Sequence, residues 1–493
     1  MLPGPHGTAW RKCELGVNQL DFDAACVNMK RRMTQYIVFV AMLAAILAIR
    51  RHGLETAFLR VWIPFFLFMP FAFYVHVPLL SEHNFMQAAI LPILIVLVKD
   101  KLREIRLGPM EWLILLYVVI RVVADAYSRG YGDAQRYAHY MATAIIGPFL
   151  LGRYLITSRR MDVATSKMFV LIFLIFFPFF LFEAKFWVSP VFKILAPLFP
   201  GAGSGLSIRY GMARTAGTFE HPILACIMIV AVYRLHRWLC WIGAWNGRQT
   251  GWLGWIQEKA KVFPVSFQTQ ISIVLILMAL MTISRGPWIG GAVAAALVAV
   301  GNAKSRRKWL IVFAIALVLG GLLGKMALDA YVTPKAGEIL SGEAQTMLYR
   351  KVMIERYQDF LLERKWTGWG LTTVPKIQGI ESVDNAFFLM ALQHGVLAPI
   401  VFGILFLYAI VSQVAFGVKS PQGTPPIGFT FSGVYLMCFI AFSTVYMGAQ
   451  TEPMLFLLLG WGESIKNRQA EAKAGTNPSA APAPTSPFRR IIF

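Results

Sequence analysis

The sequence predicts an all-α integral membrane protein that crosses the bilayer about 12 or 13 times and carries one long extracytoplasmic loop. Three observations predict it. First, 57% of the 493 residues are hydrophobic and only 15% are charged, where a soluble domain carries about a quarter charged residues. Second, the apolar residues come in blocks such as 168–183 (KMFVLIFLIFFPFFLF), which recur at spacings that suit bilayer spans. Third, the basic residues sit between those blocks, at 99–106, 153–167, 234–261 and 304–308. That is the positive-inside pattern, which sets orientation in a membrane. It accounts for the net charge of +22 without a nucleic-acid partner. The five cysteines (Cys13, Cys26, Cys226, Cys240 and Cys438) are scattered, with neither a disulfide framework nor metal-ligand spacing. No metal and no cofactor are expected.

The elements follow in order. Residues 1–35 form a polar lead without the pattern of a cleavable signal peptide, since the first apolar run begins only near Tyr36. The run at 36–49 is short and flanked by Lys30–Arg32 and Arg50–Arg51; it either spans or lies in the interface, hence 12 or 13 spans. Further spans are expected near 58–75, 85–98, 109–124, 137–151, 168–183, 222–238, 269–283, 288–300, 309–326, 385–413, 428–447 and 453–465. The transmembrane domain is thus 36–465. Its longest polar gap, 327–384, is read as an extracytoplasmic loop. Within that loop, 344–364 has helical periodicity, with Met347, Ile354, Tyr357 and Leu361 on one face. This helix either lies on the membrane or a cavity, or packs on the bundle as an ordinary loop helix. Residues 466–493, rich in Ala, Pro and Ser, read as a disordered cytoplasmic tail.

Several ionisable residues fall on one side in this topology. Arg285 lies in the turn SRGP between two apolar runs, where a charge marks either a functional site or a snorkelling side chain. Arg209 and Arg214 lie in a Gly-rich segment whose small residues admit a bulky anion. Arginine's planar fork suits a diphosphate there, or the loop simply meets lipid headgroups. His221 follows in FEHP at the entrance to a span, a place where a lone His is usually structural. Arg350 opens the loop helix, on what is otherwise a solvated face. Asp384 and Asn385 begin the next span: Asp384 is either a helix cap or a carboxylate base. His394 lies further along the same span as a second titratable candidate or a bond to a neighbouring helix. Several cations and one acid on one face suit diphosphate binding and deprotonation of a hydroxyl.

At these residues the chain resembles the O-antigen ligase and Wzy-type polymerase superfamily of envelope glycan enzymes. The resemblance rests on RTAGTFEHPILAC (214–226), TISRGPWIGG (282–291), YRKVMIERYQDFLLERKWTGWG (349–370) and DNAFFLMALQHG (384–395), in order across 205–465. It implies a metal-independent membrane glycosyltransferase of the bacterial inner membrane, with its site facing the periplasm. The donor would be a polyprenyl-diphosphate-linked glycan. Membrane lipids and other polysaccharide export proteins are the remaining partners it suggests. The ligases of the family carry His before the Asn; this chain has Asp384 there, which resembles the polymerases and makes exopolysaccharide or O-antigen-like polymerisation the expected function. In that role Arg285 and Arg214 bind diphosphate, Arg209 and Arg350 assist, His221 and His394 contact substrate, Asp384 is the base, and Asn385 orients it or the substrate. A ligase moving glycan to a lipid or protein is the alternative within the class. A lipid-linked glycan flippase is the alternative outside it, disfavoured by the long loop and the absence of matching halves.

Overall fold

The computed structural model describes residues 35–77, 80, 82–101, 103, 107–199, 205, 207–332, 342–380, 382–423 and 426–473. The polar lead up to residue 34, part of the long loop and the tail beyond 473 lie outside the described residues.

Helices dominate. Among the described residues only two short antiparallel hairpins interrupt them, β1 (Tyr74–His76) with β2 (Glu82–Asn84) and β3 (Ile208–Arg209) with β4 (Met212–Ala213). The long helices are α1 (Phe39–His52), α2 (Phe85–Lys101), α3 (Pro109–Arg129), α4 (Tyr131–Met141), α5 (Asp162–Phe186), α6 (Pro222–Trp241), α7 (Phe267–Met281), α8 (Arg285–Asn302), α9 (Arg306–Val332), α10 (Gly342–Glu363), α11 (Ala386–His394), α12 (Leu397–Lys419), α13 (Ile427–Phe442) and α14 (Thr451–Lys473). Four of these, α5, α6, α9 and α12, are long and apolar enough to cross a membrane, and α7 and α13 are shorter apolar helices. The protein is an all-α polytopic membrane protein.

The other expected spans are built differently, for physical reasons. The apolar block at 58–75 is a π-helical segment, Phe58–Trp62, followed by the short helix Ile63–Phe68. The block at 137–151 passes through two π segments, Ala142–Ile146 and Gly152–Ile156; such wider turns usually mark strain or function. The expected span at 385–413 is two helices, because the chain turns at Gly395 with φ +77°, where a Cβ would fall 2.1 Å from the carbonyl oxygen of Trp366. Only glycine fits that approach. Residues 466–473, expected to open the tail, belong to helix α14.

The core is chiefly one large apolar cluster running from α1 to α14, with smaller ones around Leu297 and Phe429 and around Met353 and Leu392. Its tightest crossing joins the Gly152 segment to α14. A Cβ on Gly152 would lie 2.1 Å from the Leu457 carbonyl oxygen, and one on Gly460 would lie 2.1 Å from that of Phe149. Small residues permit such close backbone contact between membrane helices. Gly152→Ala is therefore expected to destabilise the protein by about 1–3 kcal/mol, seen as a lower unfolding midpoint in detergent; an unchanged midpoint would show the crossing to be loose.

Candidate functional site

Four loop segments gather at one end of the bundle. The 207–221 segment is held by a buried carboxylate: Glu183 of α5 accepts the backbone N–H of Ala216 at 3.0 Å and of Gly217 at 2.7 Å. Thr218 Oγ1 donates to the Leu67 carbonyl, and Ser189 Oγ donates to that of Gly217. β3 and β4 are joined by Tyr210 and Gly211, both with positive φ, as a two-residue hairpin of right-handed twist requires. Tyr210 is a costly residue in that conformation. Its ring carries the guanidinium of Arg285 at 5.6 Å.

The hairpin grips the α7–α8 turn. Arg214 donates from Nε to the Thr282 carbonyl (3.1 Å), from Nη1 to Ser207 Oγ (3.2 Å) and from Nη2 to Ser284 Oγ (3.0 Å). Arg209 Nη1 donates to the Ile283 carbonyl at 3.2 Å. Ile283, β-branched, has φ +47°, a strained conformation of the kind that collects at functional sites. Arg214 is buried. Desolvation, then Arg209, lowers its pKa to about 10, so it stays charged at neutral pH. Among the described residues no carboxylate pairs with it.

The long loop supplies the third wall. Its helix α10 buries Met353 and Tyr357 against Ile380 and Leu392, with Tyr349, Phe360 and Leu361 alongside. It is thus an ordinary loop helix packed on its own loop and on α11. Ile354, expected on the apolar face, is exposed, because the buried stripe runs through Met353 instead. Arg350 Nη2 donates to the Thr444 carbonyl at 3.1 Å, and its Nε is buried with no partner among the described residues. Desolvation lowers its pKa, Asp384 opposes that shift, and Arg209 adds to it.

His221 sits in the middle. It caps α6, its Nδ1 accepting the Ile223 N–H at 3.1 Å, so the neutral ring carries its proton on Nε2. Burial first, then Arg214, lower its pKa to about 4; Asp384 opposes them, and Arg209 and Arg350 add to the lowering. Five expected site residues, Arg209, Arg214, His221, Arg350 and Asp384, thus share one electrostatic neighbourhood, with Arg285 beside it on Tyr210. Asn385, not Asp384, caps α11: its Oδ1 accepts the Phe388 N–H at 3.0 Å. Asp384 accepts Ser382 Oγ at 2.7 Å instead. The side-chain oxygen of Asn385 is thus committed to the start of α11.

His394 does not join this group. It ends α11, roughly 12 Å along the helix from its start. It is fully buried, with Nε2 3.1 Å from the Tyr137 hydroxyl and its ring stacked on that tyrosine. The sequence reading placed it in the substrate site; packing places it in a wall. Among the described residues no group of His, Cys, Asp or Glu is arranged to hold a metal.

Beside the arginine cluster opens a cavity of about 940 Å³, lined in part by Arg121, Tyr137, Tyr140, Glu220, Tyr446 and Glu452. None of the acids and cations in that wall was singled out from sequence. Glu183 was missed as well. The signal existed: Arg121 and Glu183 are charges inside apolar runs, which are rare without a role.

Fold and site together define a polytopic membrane protein with a cluster of arginine-bearing loop segments around His221. Residues 270–403 match the family model described as O-Antigen ligase. The match runs from α7 through the Arg285 turn, α10 and Asp384 into α12, and it supports the O-antigen ligase and Wzy-type superfamily that the motifs resemble. No curated protein matches the chain.

Proposed function

We propose that the protein polymerises polyprenyl-diphosphate-linked oligosaccharide repeats, by glycosyl transfer at the periplasmic face of the bacterial inner membrane. The observation that carries this reading is the convergence of Arg209, Arg214 and Arg350 on His221, with one carboxylate among them. Arg214 in particular is a buried cation with no carboxylate paired to it among the described residues, which calls for an anionic ligand, and a diphosphate supplies two phosphates to arginine forks. In the reaction these arginines and Arg285 stabilise charge as it develops on the departing diphosphate. The neutral His221 is an Nε2–H donor to the same oxygens. The acceptor hydroxyl loses its proton to a carboxylate, for which Asp384 is the residue the motif names.

The experiment is purified protein with lipid-linked glycan extracted from cells that lack it. Lengthened glycan is the expected product, read by gel and mass spectrometry. Intact binding without any new glycosidic bond overturns the enzyme reading and favours a flippase. The family description favours one second reading, a ligase. In a deletion strain, loss of a polymerase leaves single repeats attached to their acceptor, whereas loss of a ligase leaves long polymer on the polyprenyl carrier.

A further inference from the structure

One carboxylate stands where the arginine cluster meets the large cavity. Glu220 immediately precedes His221, whose ring feels Arg214, Asp384, Arg209 and Arg350. Glu220 lines the cavity. The Ala449 N–H favours its charged form, and Oε2 lies 3.3 Å from where a Cβ on Gly448 would stand. Among the described residues no cation pairs with it. Asp384 differs on each count: it accepts Ser382 Oγ, lies in the field of Arg350, and is not part of the cavity lining. Tyr446, also in the cavity wall, feels both carboxylates, so the two flank one junction.

The cavity wall identifies its occupant. Alongside apolar side chains the lining carries Arg129, Asp133, Arg136, Thr372 and Glu220, polar and charged groups that a polyprenyl chain cannot satisfy. A saccharide can satisfy them, and the tyrosine rings suit sugar faces.

We propose that the cavity holds the acceptor saccharide and that Glu220, rather than Asp384, is the general base. The assignment rests on the glycosyl-transfer reading above. In the step, the acceptor oxygen bonds to the donor's anomeric carbon while the bond from that carbon to the phosphate oxygen breaks. The electron pair leaves with the diphosphate, which the arginines hold. The acceptor's proton passes to the Glu220 carboxylate. A base that lines the cavity meets an acceptor held there, while the arginines around His221 hold the departing diphosphate. Asp384, beside Arg350, remains to position that arginine.

Desolvation raises the Glu220 carboxyl from its ordinary value, and the Ala449 N–H opposes that shift; a raised pKa strengthens a carboxylate as a base. The other titratable and charged groups around the junction are His221, Tyr446 and Asp384, with Tyr36, His76, Glu82, Arg121, Arg129, Asp133, Arg136, Tyr137, Tyr140 and Glu452 around the cavity. Since a base acts when deprotonated, turnover is expected to fall as pH drops through the Glu220 pKa.

The test compares E220Q and D384N as purified full-length protein, given lipid-linked glycan from cells lacking the protein. E220Q keeps a side-chain oxygen for the Ala449 N–H and is expected to elute as a folded protein. Its turnover is expected to fall about 100- to 10,000-fold, its retention of radiolabelled lipid-linked glycan to stay unchanged, and its acid limb in the pH profile to vanish. D384N is expected to keep more than about a tenth of turnover, a loss below the usual cost of a missing base. Full turnover in E220Q overturns the assignment, as does loss of glycan retention, which would make Glu220 a binding residue. A wild type that binds glycan yet forms no bond sinks the glycosyl-transfer reading itself, and the base with it.

Discussion

Arg214→Ala is expected to lower glycan transfer by about 100- to 1,000-fold, the usual cost of removing one preorganised donor from a developing anion. The effect is large because the residue acts in two ways. Its guanidinium is a buried positive charge with no carboxylate paired to it among the described residues, so a bound diphosphate relieves a cost the free protein carries. Three of its N–H donors also tie Ser207 and the 282–284 turn together, and that turn leads directly into Arg285. Arg214→Lys separates the two roles. It restores the charge but not the planar fork, so a recovery of less than about tenfold is expected if geometry matters as well as charge. Transfer assays on both variants, with glycan retention measured in parallel, check this. Turnover within threefold of wild type in Arg214→Ala would remove the diphosphate assignment.

The legibility of this site in the sequence was uneven. Hydropathy gave the membrane class, because the apolar blocks and the basic segments between them are one-dimensional signals. It did not give the break at Gly395, since the chain stays apolar and helical on both sides of that turn. Five of the eight expected site residues proved to share one neighbourhood because alternation of spans brings their loops to one side whatever the packing. Packing then decided the remainder. His394 follows Asp384 in sequence, but helical rise carries it away and its ring is taken up by Tyr137. Asn385 went to the helix cap, a role that depends on backbone dihedrals invisible in composition. Glu183 and Glu220 were passed over because a single acid near a span end looks like any interfacial charge. Only the fold reveals their surroundings: Glu183 accepts the N–H groups of Ala216 and Gly217, and Glu220 lines the cavity.

Glu452→Gln is expected to destabilise the protein by about 3 kcal/mol or more, the largest effect on stability foreseen here. Glu452 accepts Arg121 Nη1 at 2.8 Å and the Tyr140 hydroxyl at 2.8 Å, and so joins α3, α4 and α14. Arg121 in turn donates to the Tyr117 hydroxyl at 2.7 Å, and its Nε is buried without a partner among the described residues. The two charged side chains are 8% and 4% exposed. Glutamine keeps the shape but leaves the arginine buried and uncompensated. The cost comes from that stranded charge more than from the bond itself. Replacing both partners by Arg121→Met and Glu452→Met should therefore recover much of the loss, because no charge then remains to be desolvated. Unfolding midpoints in detergent for the single and double variants test the argument through their coupling. Additive losses would mean that water in the cavity already solvates both charges, and a wet pair of that kind would be held for the acceptor saccharide rather than for the fold.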